Sequence, residues 1–217
     1  MKFLQRLPRL LFRPACGTPL HISRTAIRHS SSSSSSAPQK TFYTLFPRSI
    51  PCGAPPRGPF DIDLRALQRE FFTLQQISHP DVSSRQSPAA ADDVDSSYIN
   101  HAYSTLRDPL SRAVYLLSLH GMDVAEDTGM GMDDKELLME VLEAHEVIEE
   151  ARKREDLEVL EREAKDRVLE SEKAVGEACE GGDWEAARKE AVRLRYRRNV
   201  KEAVAAWEEG KPVVLMH

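Results

Sequence analysis

Proline and glycine cut this chain into segments, and every segment between the cuts spaces its apolar residues for a helix. Pro47, Pro51, Gly53, Pro55, Pro56, Gly58 and Pro59 make one break, Pro80 a second, Asp108-Pro109 a third, Gly121, Gly129 and Gly131 a fourth, and Gly181-Gly182 a fifth. Proline fixes φ and lacks a backbone donor, so clusters of the two residues interrupt helix and strand alike. Between the breaks, no run alternates apolar and polar residues as a half-buried strand requires. Glu, Lys, Arg, Ala and Leu dominate the second half. Such straight-chain residues lose little rotamer freedom in a helix. The sequence therefore predicts an all-α protein.

The segments can be placed in order. Thr41–Phe46 predicts one or two helical turns. A helix starts near Asp61 or Asp63, either of which can cap it. Leu64, Leu67, Phe71 and Leu74 then fall on one face, and the helix ends near Ser78 because Pro80 disfavours the α conformation at His79. Ser87-Pro88 reads as the cap and first turn of the next helix, with Tyr98, Ala102 and Leu106 on one face. A short helix from about Ser111 to Leu119 stops at Gly121. Residues 122–132 read as a joint. Three further helices follow: Asp133 to Arg152, Asp156 to Cys179, and one capped by Asp183 that runs to Trp207 or Gly210. The expected organisation is a leader over 1–40, a helical unit over 41–121, the joint, and a three-helix bundle over 133–217.

Charge separates the leader from the rest. No Asp or Glu precedes Asp61, while Lys2, Arg6, Arg9, Arg13, Arg24, Arg28 and Lys40 fall in the first forty residues. Apolar residues interleave with these arginines, and Ser30–Ser36 is an unbroken serine run. An Arg- and Ser-rich, acid-free start has the composition of an organelle transit peptide. Its apolar stretches are too short to span a bilayer. The net charge of -5 hides a basic leader on an acidic body, and an acidic body is repelled by a phosphate backbone. Cys16, Cys52 and Cys179 are odd in number and widely spaced, which argues against a disulfide framework and a cysteine zinc site.

His79-Pro80-Asp81 lies between two amphipathic helices. Alone, the tripeptide reads as an ordinary turn or a presented recognition corner; a catalytic pair is disfavoured because no Ser or Cys nucleophile accompanies it. Downstream, Ile99-Asn100-His101-Ala102-Tyr103-Ser104-Thr105-Leu106-Arg107-Asp108-Pro109 precedes Arg112-Ala113-Val114-Tyr115. These strings, with Phe42-Tyr43-Thr44-Leu45-Phe46, resemble the helices of J domains. Arg112-Ala113-Val114-Tyr115-Leu116-Leu117-Ser118-Leu119-His120-Gly121 brings the resemblance closer to the HscB-type family, the J-proteins of iron–sulfur cluster assembly. The resemblance implies a J domain over 41–121, an antiparallel helical hairpin with short flanking helices. It further implies that His79, Pro80 and Asp81, supported by Arg65 and Arg69, bind a 70-kilodalton heat-shock chaperone and stimulate its ATPase. J domains usually carry a strongly basic helix before the tripeptide. Here Arg65 and Arg69 are the main positive charges, Glu70 sits beside them, and Ser78 replaces a residue often aromatic or basic. That departure predicts a weak chaperone contact, or one leaning on Arg85 and the loop.

In the C-terminal segment, Leu137, Val141, Ala144, Ile148 and Ala151 form a stripe suited to a three-helix core. Leu138, Met139 and Leu142 lie to its side, near Glu143 and Glu146. Trp184, Ala187, Ala191 and Leu194 share a face of the last helix, while Tyr196 lies off it among Arg193, Arg195, Arg197 and Arg198. From the residues alone, these off-stripe positions are either a partner site or ordinary packing, and the last helix can switch its buried face near Tyr196. The arginine run admits base stacking, though a solvated basic face is commoner. The family resemblance implies that Leu138, Met139, Leu142, Glu143, Glu146 and Tyr196 bind the scaffold protein on which clusters are built. It implies a mitochondrial matrix co-chaperone with no cofactor and no enzymatic activity of its own. The alternative is a general J-protein for unfolded clients. His101, His120 and His145 stand apart from one another and from cysteine, so a structural or surface role is expected for each.

Overall fold

The computed structural model describes residues 41–78, 95–122, 124 and 134–209. Among these the architecture is all-α, with no strand. The helices are α1 (Phe42–Leu45), α2 (Leu64–Ser78), α3 (Ser96–Arg107), α4 (Pro109–Leu119), α5 (Lys135–Glu150), α6 (Glu158–Gly181) and α7 (Trp184–Ala206), with a 3-10 turn at Arg154–Leu157 before α6.

Aspartates start most of these helices, each accepting an amide hydrogen that has no partner in the first turn. The Asp63 carboxylate accepts from the amides of Arg65 and Ala66. Asp95 accepts from Ser97, Asp108 from Ser111, Asp134 from Leu137 and Asp183 from Ala186. The expected α2 cap is therefore Asp63. Asp95, not Ser87, caps the helix carrying Tyr98, Ala102 and Leu106; the Ser87-Pro88 pair lies outside the described residues, as does the leader. Asp108-Pro109 ends α3 and begins α4, with proline in the first turn where its missing donor costs nothing. Helix α6 ends as expected at the glycine pair, with Gly182 at φ 72°.

Helices α2 and α3 run antiparallel. Phe71 stacks on Tyr103 with ring centroids 4.2 Å apart, and Gln75 bonds Asn100 and Ser96 one turn further along. Helices α6 and α7 form a second antiparallel pair. Helix α5 runs parallel to α7, since Asp134 pairs with Arg193 and Glu140 with Arg197.

The apolar core falls into two clusters. The first joins Phe42, Tyr43, Phe46, Leu67, Leu106, Leu116 and Leu117 to Val168, Val175, Cys179, Ala187, Ala191 and Leu194. The second contains Ala144, Ile148, Leu157, Leu160, Ala164, Val200 and Val204. Phe60 links the loop before α2 to the later helices. Its carbonyl accepts from Arg112 Nη1 at 2.6 Å and its amide donates to Glu180 at 2.7 Å. Its ring packs so closely on Gly176 that a Cβ there would lie 3.1 Å from Cδ1. Arg112 is buried, donates its Nε to the Leu106 carbonyl at 2.8 Å, and lies 5.0 Å from the Phe60 ring centroid. Burial pulls its pKa below the ordinary guanidinium value.

Helix α7 switches its buried face. Ala187, Ala191 and Leu194 face the first cluster, whereas Val200 and Val204 face the second. Of the residues expected on the α2 face, Leu67 is fully buried and Phe71 and Leu74 are half-buried, but Leu64 at the first turn is exposed. In the expected joint, Val124 is buried and Met122 packs on the first cluster.

Candidate functional site

Two surfaces carry the residues singled out in the sequence. The first is the outer face of α2. Arg65 and Arg69 lie one turn apart and both are exposed. Phe72 shares their face by helical spacing and is 54% exposed. Sequence reasoning missed it, although its place seven residues after Arg65 and three after Arg69 was enough to find it. His79, Pro80, Asp81 and Arg85 lie outside the described residues. The helix ends flanking them are tied together, because the Ser96 hydroxyl donates to Gln75 Oε1 at 2.8 Å and Gln75 Nε2 donates to Asn100 at 3.1 Å.

Glu70 does not dilute this basic face. It points away, is 9% exposed, and accepts hydrogen bonds from the amides of Arg48 and Ser49 and from the Ser49 hydroxyl. The carboxylate thus satisfies a turn before α2 instead of neutralising Arg69. Chain neighbours diverge by about 100° around a helix, which is why adjacency in sequence misleads here.

The second surface is the solvent side of α5. Leu137, Ala144 and Ile148 are buried, and Val141 and Ala151 pack beside them, as the stripe predicts. On the opposite side Leu138, Met139 and Leu142 are 41%, 56% and 49% exposed. Glu143 and Glu146 are exposed next to them. Three large apolar side chains are thus grouped in solvent on a helix whose core face is already satisfied.

Tyr196 differs from these. It is half-buried and packs on the first cluster, with Arg195 5.9 Å from its ring centroid. The expected switch of buried face does occur here, and the ring keeps an accessible portion.

The surrounding arginines are neither a free basic face nor a base-stacking platform. Arg193 bonds Asp134 at 2.6 Å and Glu190 at 2.9 Å. Arg195 reaches the Val124 carbonyl at 3.4 Å. Arg197 holds Glu140 through two nitrogens, at 3.1 and 3.0 Å, and Ser171 at 2.8 Å. Arg198 bonds Asp108 at 2.7 Å. The Arg193 guanidinium holds the Asp134 carboxyl below the usual carboxylate range. Burial pushes the Asp108 carboxyl up, but hydrogen bonds from Ser111 and Arg198 outweigh it, and the net shift is downward.

Two of the described histidines, His101 and His120, take packing roles. His120 stacks on Trp184 at 3.7 Å and His101 meets the Phe42 ring edge-on at 5.2 Å. The Cys179 thiol is buried and pushed up to about 11, an unreactive setting, while Cys52 is exposed. Among the described residues, no group of three or more His, Cys, Asp or Glu side chains is placed to hold a metal ion, and no helix is long and apolar enough to cross a membrane.

Residues 133–205 match the family model described as the HSCB C-terminal oligomerisation domain. The chain is 39% identical over 170 residues to the mitochondrial J-type co-chaperone jac1 of Schizosaccharomyces pombe, covering 77% of this chain and 73% of that protein. The chain belongs to the HscB/Jac1 family of J-type co-chaperones. The mitochondrial J-type co-chaperone of Saccharomyces cerevisiae is 32% identical, over 82% of this chain and 94% of its own length. The human iron–sulfur cluster co-chaperone protein HscB is 35% identical, over 67% and 62%. The solved Jac1 structure from Saccharomyces cerevisiae (the 5-182 clone) aligns with a TM-score of 0.66 at 30% identity, covering 80% of this chain and 97% of that one. Human HscB aligns with a TM-score of 0.63 at 31% identity, over 77% and 82%. As an HscB/Jac1-type protein, this chain is a mitochondrial co-chaperone of iron–sulfur cluster assembly, not an enzyme. The all-α architecture expected from the sequence is the one its solved relatives share.

Proposed function

We propose that this HscB/Jac1-type co-chaperone holds two partners at separate surfaces. The corner His79-Pro80-Asp81 and the Arg65–Arg69 face of α2 engage a mitochondrial 70-kilodalton heat-shock chaperone in the matrix and stimulate its ATPase. Leu138, Met139, Leu142, Glu143, Glu146 and Tyr196 bind the iron–sulfur cluster scaffold protein. The 41–121 segment acts as the J domain and 133–217 as the scaffold-binding bundle, after a transit leader over 1–40. The observation that carries the reading is the solvent-facing apolar group Leu138–Met139–Leu142, set opposite a completed core face of α5 in a chain of this family.

The chemistry of hydrolysis belongs to the chaperone. This chain acts by binding the hydrolysis-competent state more tightly than the resting one, since a ligand shifts an equilibrium only through differential affinity. Arg65 and Arg69 supply charge for an acidic partner surface, and Asp81 a carboxylate for a basic one. Phe72 adds exposed apolar area on the face of Arg65 and Arg69. On the scaffold side, the three apolar residues form the buried centre of the contact and the two glutamates its polar rim, the usual anatomy of a specific interface.

The test is a chaperone ATPase assay with and without scaffold protein. The His79→Gln variant is expected to bind scaffold like wild type and to fail to stimulate. The pair Leu138→Ala with Tyr196→Ala is expected to keep basal stimulation and lose the scaffold-dependent part. Thermal melting must accompany the pair, because half-buried Tyr196 also contributes packing. Absence of scaffold binding together with capture of unfolded clients would instead establish a general J-protein.

A further inference from the structure

Helices α5 and α7 run parallel and stop at the same end of the bundle. Ala151 and Trp207, which follow them, pack on the same cluster, and Arg154 Nη1 donates to the Val204 carbonyl at 2.6 Å. The chain therefore leaves α7 beside the C-terminal end of α5. From there the outer side of α5 leads back to Leu142 and Leu138, and its character changes twice on the way. Exposed Arg152 and Lys153 come first, then exposed Glu149 and Glu146, then the two leucines. The sequence after Trp207 changes in the complementary order. Glu208-Glu209 comes first, then Gly210-Lys211, then Pro212-Val213-Val214-Leu215-Met216. Acid is matched to base, base to acid, and apolar to apolar. The lengths agree too. Leu142 and Leu138 lie nine and thirteen residues back from Ala151, about 13 and 20 Å at the helical rise. If Glu208–Gly210 serve the reversal, extended chain from Lys211 onward gains about 3.3 Å per residue. Val214 then comes level with Leu142 and Met216 with Leu138. In extended chain Val214 and Met216 share a face about 6.6 Å apart, and Leu138 and Leu142 are one helical turn apart at about 6 Å.

We propose that Val214–Met216 occupy the Leu138–Leu142 face of α5 in the same chain, as an internal occupant that scaffold protein must displace. The displacement rests on the two-surface reading above; the docking does not. A short tether holds the segment at an effective concentration of about the millimolar range, so a contact too weak to join two molecules is populated within one. The covered fraction lowers the apparent affinity for scaffold in the same proportion. The free co-chaperone thereby keeps its large apolar side chains out of water until the correct partner, with more contacts to offer, replaces the tail.

A photoreactive benzoylphenylalanine replaces Met216 in the full chain, and its cross-links are mapped by mass spectrometry on dilute protein. Cross-links within one chain to residues 138–146 are expected. Leu142→Asp, at an exposed position that leaves the core face of α5 intact, is expected to remove most of them, and Lys211→Glu, outside the core altogether, to weaken them. Cross-links to other helices or to a second copy of the chain overturn the proposal, and so does a yield no higher than in denatured protein. Scaffold affinity is then measured by calorimetry for wild type and for Val214→Ser with Met216→Ser. The tail variant is expected to bind roughly threefold or more tighter, and saturating scaffold is expected to abolish the wild-type cross-link. Equal affinities, or a cross-link that persists beside bound scaffold, overturn the displacement. Scaffold that binds neither protein overturns the two-surface reading instead, and the docking is then decided by the cross-links alone.

Discussion

Arg112 shows how a charged residue becomes a core residue. Its guanidinium supplies the two hydrogen bonds that the carbonyls of Leu106 and Phe60 accept inside the fold. Replacing it with Met keeps the apolar stem and leaves both carbonyls unpaired, so Arg112→Met is expected to cost about 2–4 kcal/mol in urea denaturation. Gly182 is a simpler case. At φ 72° with open space around it, Gly182→Ala meets backbone strain only, and about 1 kcal/mol is expected. The glycine was legible in sequence because it ends an apolar-periodic segment. Arg112 was legible only as part of a family string, since nothing local distinguishes a buried arginine from the exposed Arg107. Glu70 was misleading for the same reason: its partners, Arg48 and Ser49, lie about twenty residues away in the chain.

Among the elements, α5 and α7 contrast. The spacing of Leu137, Val141, Ala144 and Ile148 shows which side of α5 is core, and the remaining apolar residues are left facing water. Ile148→Ala is therefore expected to destabilise by about 2–4 kcal/mol, while Leu138→Ala changes stability by less than about 0.5 kcal/mol; a pair of melting curves checks both. Helix α7 is harder to read. Its two halves bury different faces, so no single apolar stripe runs its length, and Tyr196 falls at the changeover. The fate of its arginines was hidden too, because Asp108, Asp134 and Glu140 are distant in sequence and near only after folding. The helix boundaries were largely legible, since aspartate caps, Pro109 and Gly182 are local signals. The α3 start was not: Asp95 and Ser87-Pro88 offer comparable capping chemistry, and the chain alone does not rank them.

For the whole molecule, the carboxylates that join α7 to the other helices set an acid limit. Asp134 and Asp108 titrate below the ordinary carboxylate range. Groups depressed in the folded state contribute stability above the unfolded-state value, near about 4, and that contribution is lost as pH falls through the folded-state value. The urea midpoint is expected to be flat across neutral pH and to drop below about pH 4. In Arg193→Gln the drop is expected to be shallower, because the partner that depresses Asp134 is gone. Denaturation curves at pH 7 and pH 3 for the two proteins check this; parallel acid limbs would refute it.

The buried face of α4 has a further consequence. Ala113, Leu116 and Leu117 are covered within a cluster that also contains Val168, Val175, Ala187 and Leu194. A piece of the chain ended at Met122 would bare that surface and lose both the Glu180 acceptor for Phe60 and the Gly176 platform beneath its ring. Residues 41–122 of this protein are thus not a cassette that can be lifted out and grafted elsewhere: their own solubility depends on the later helices that cover them.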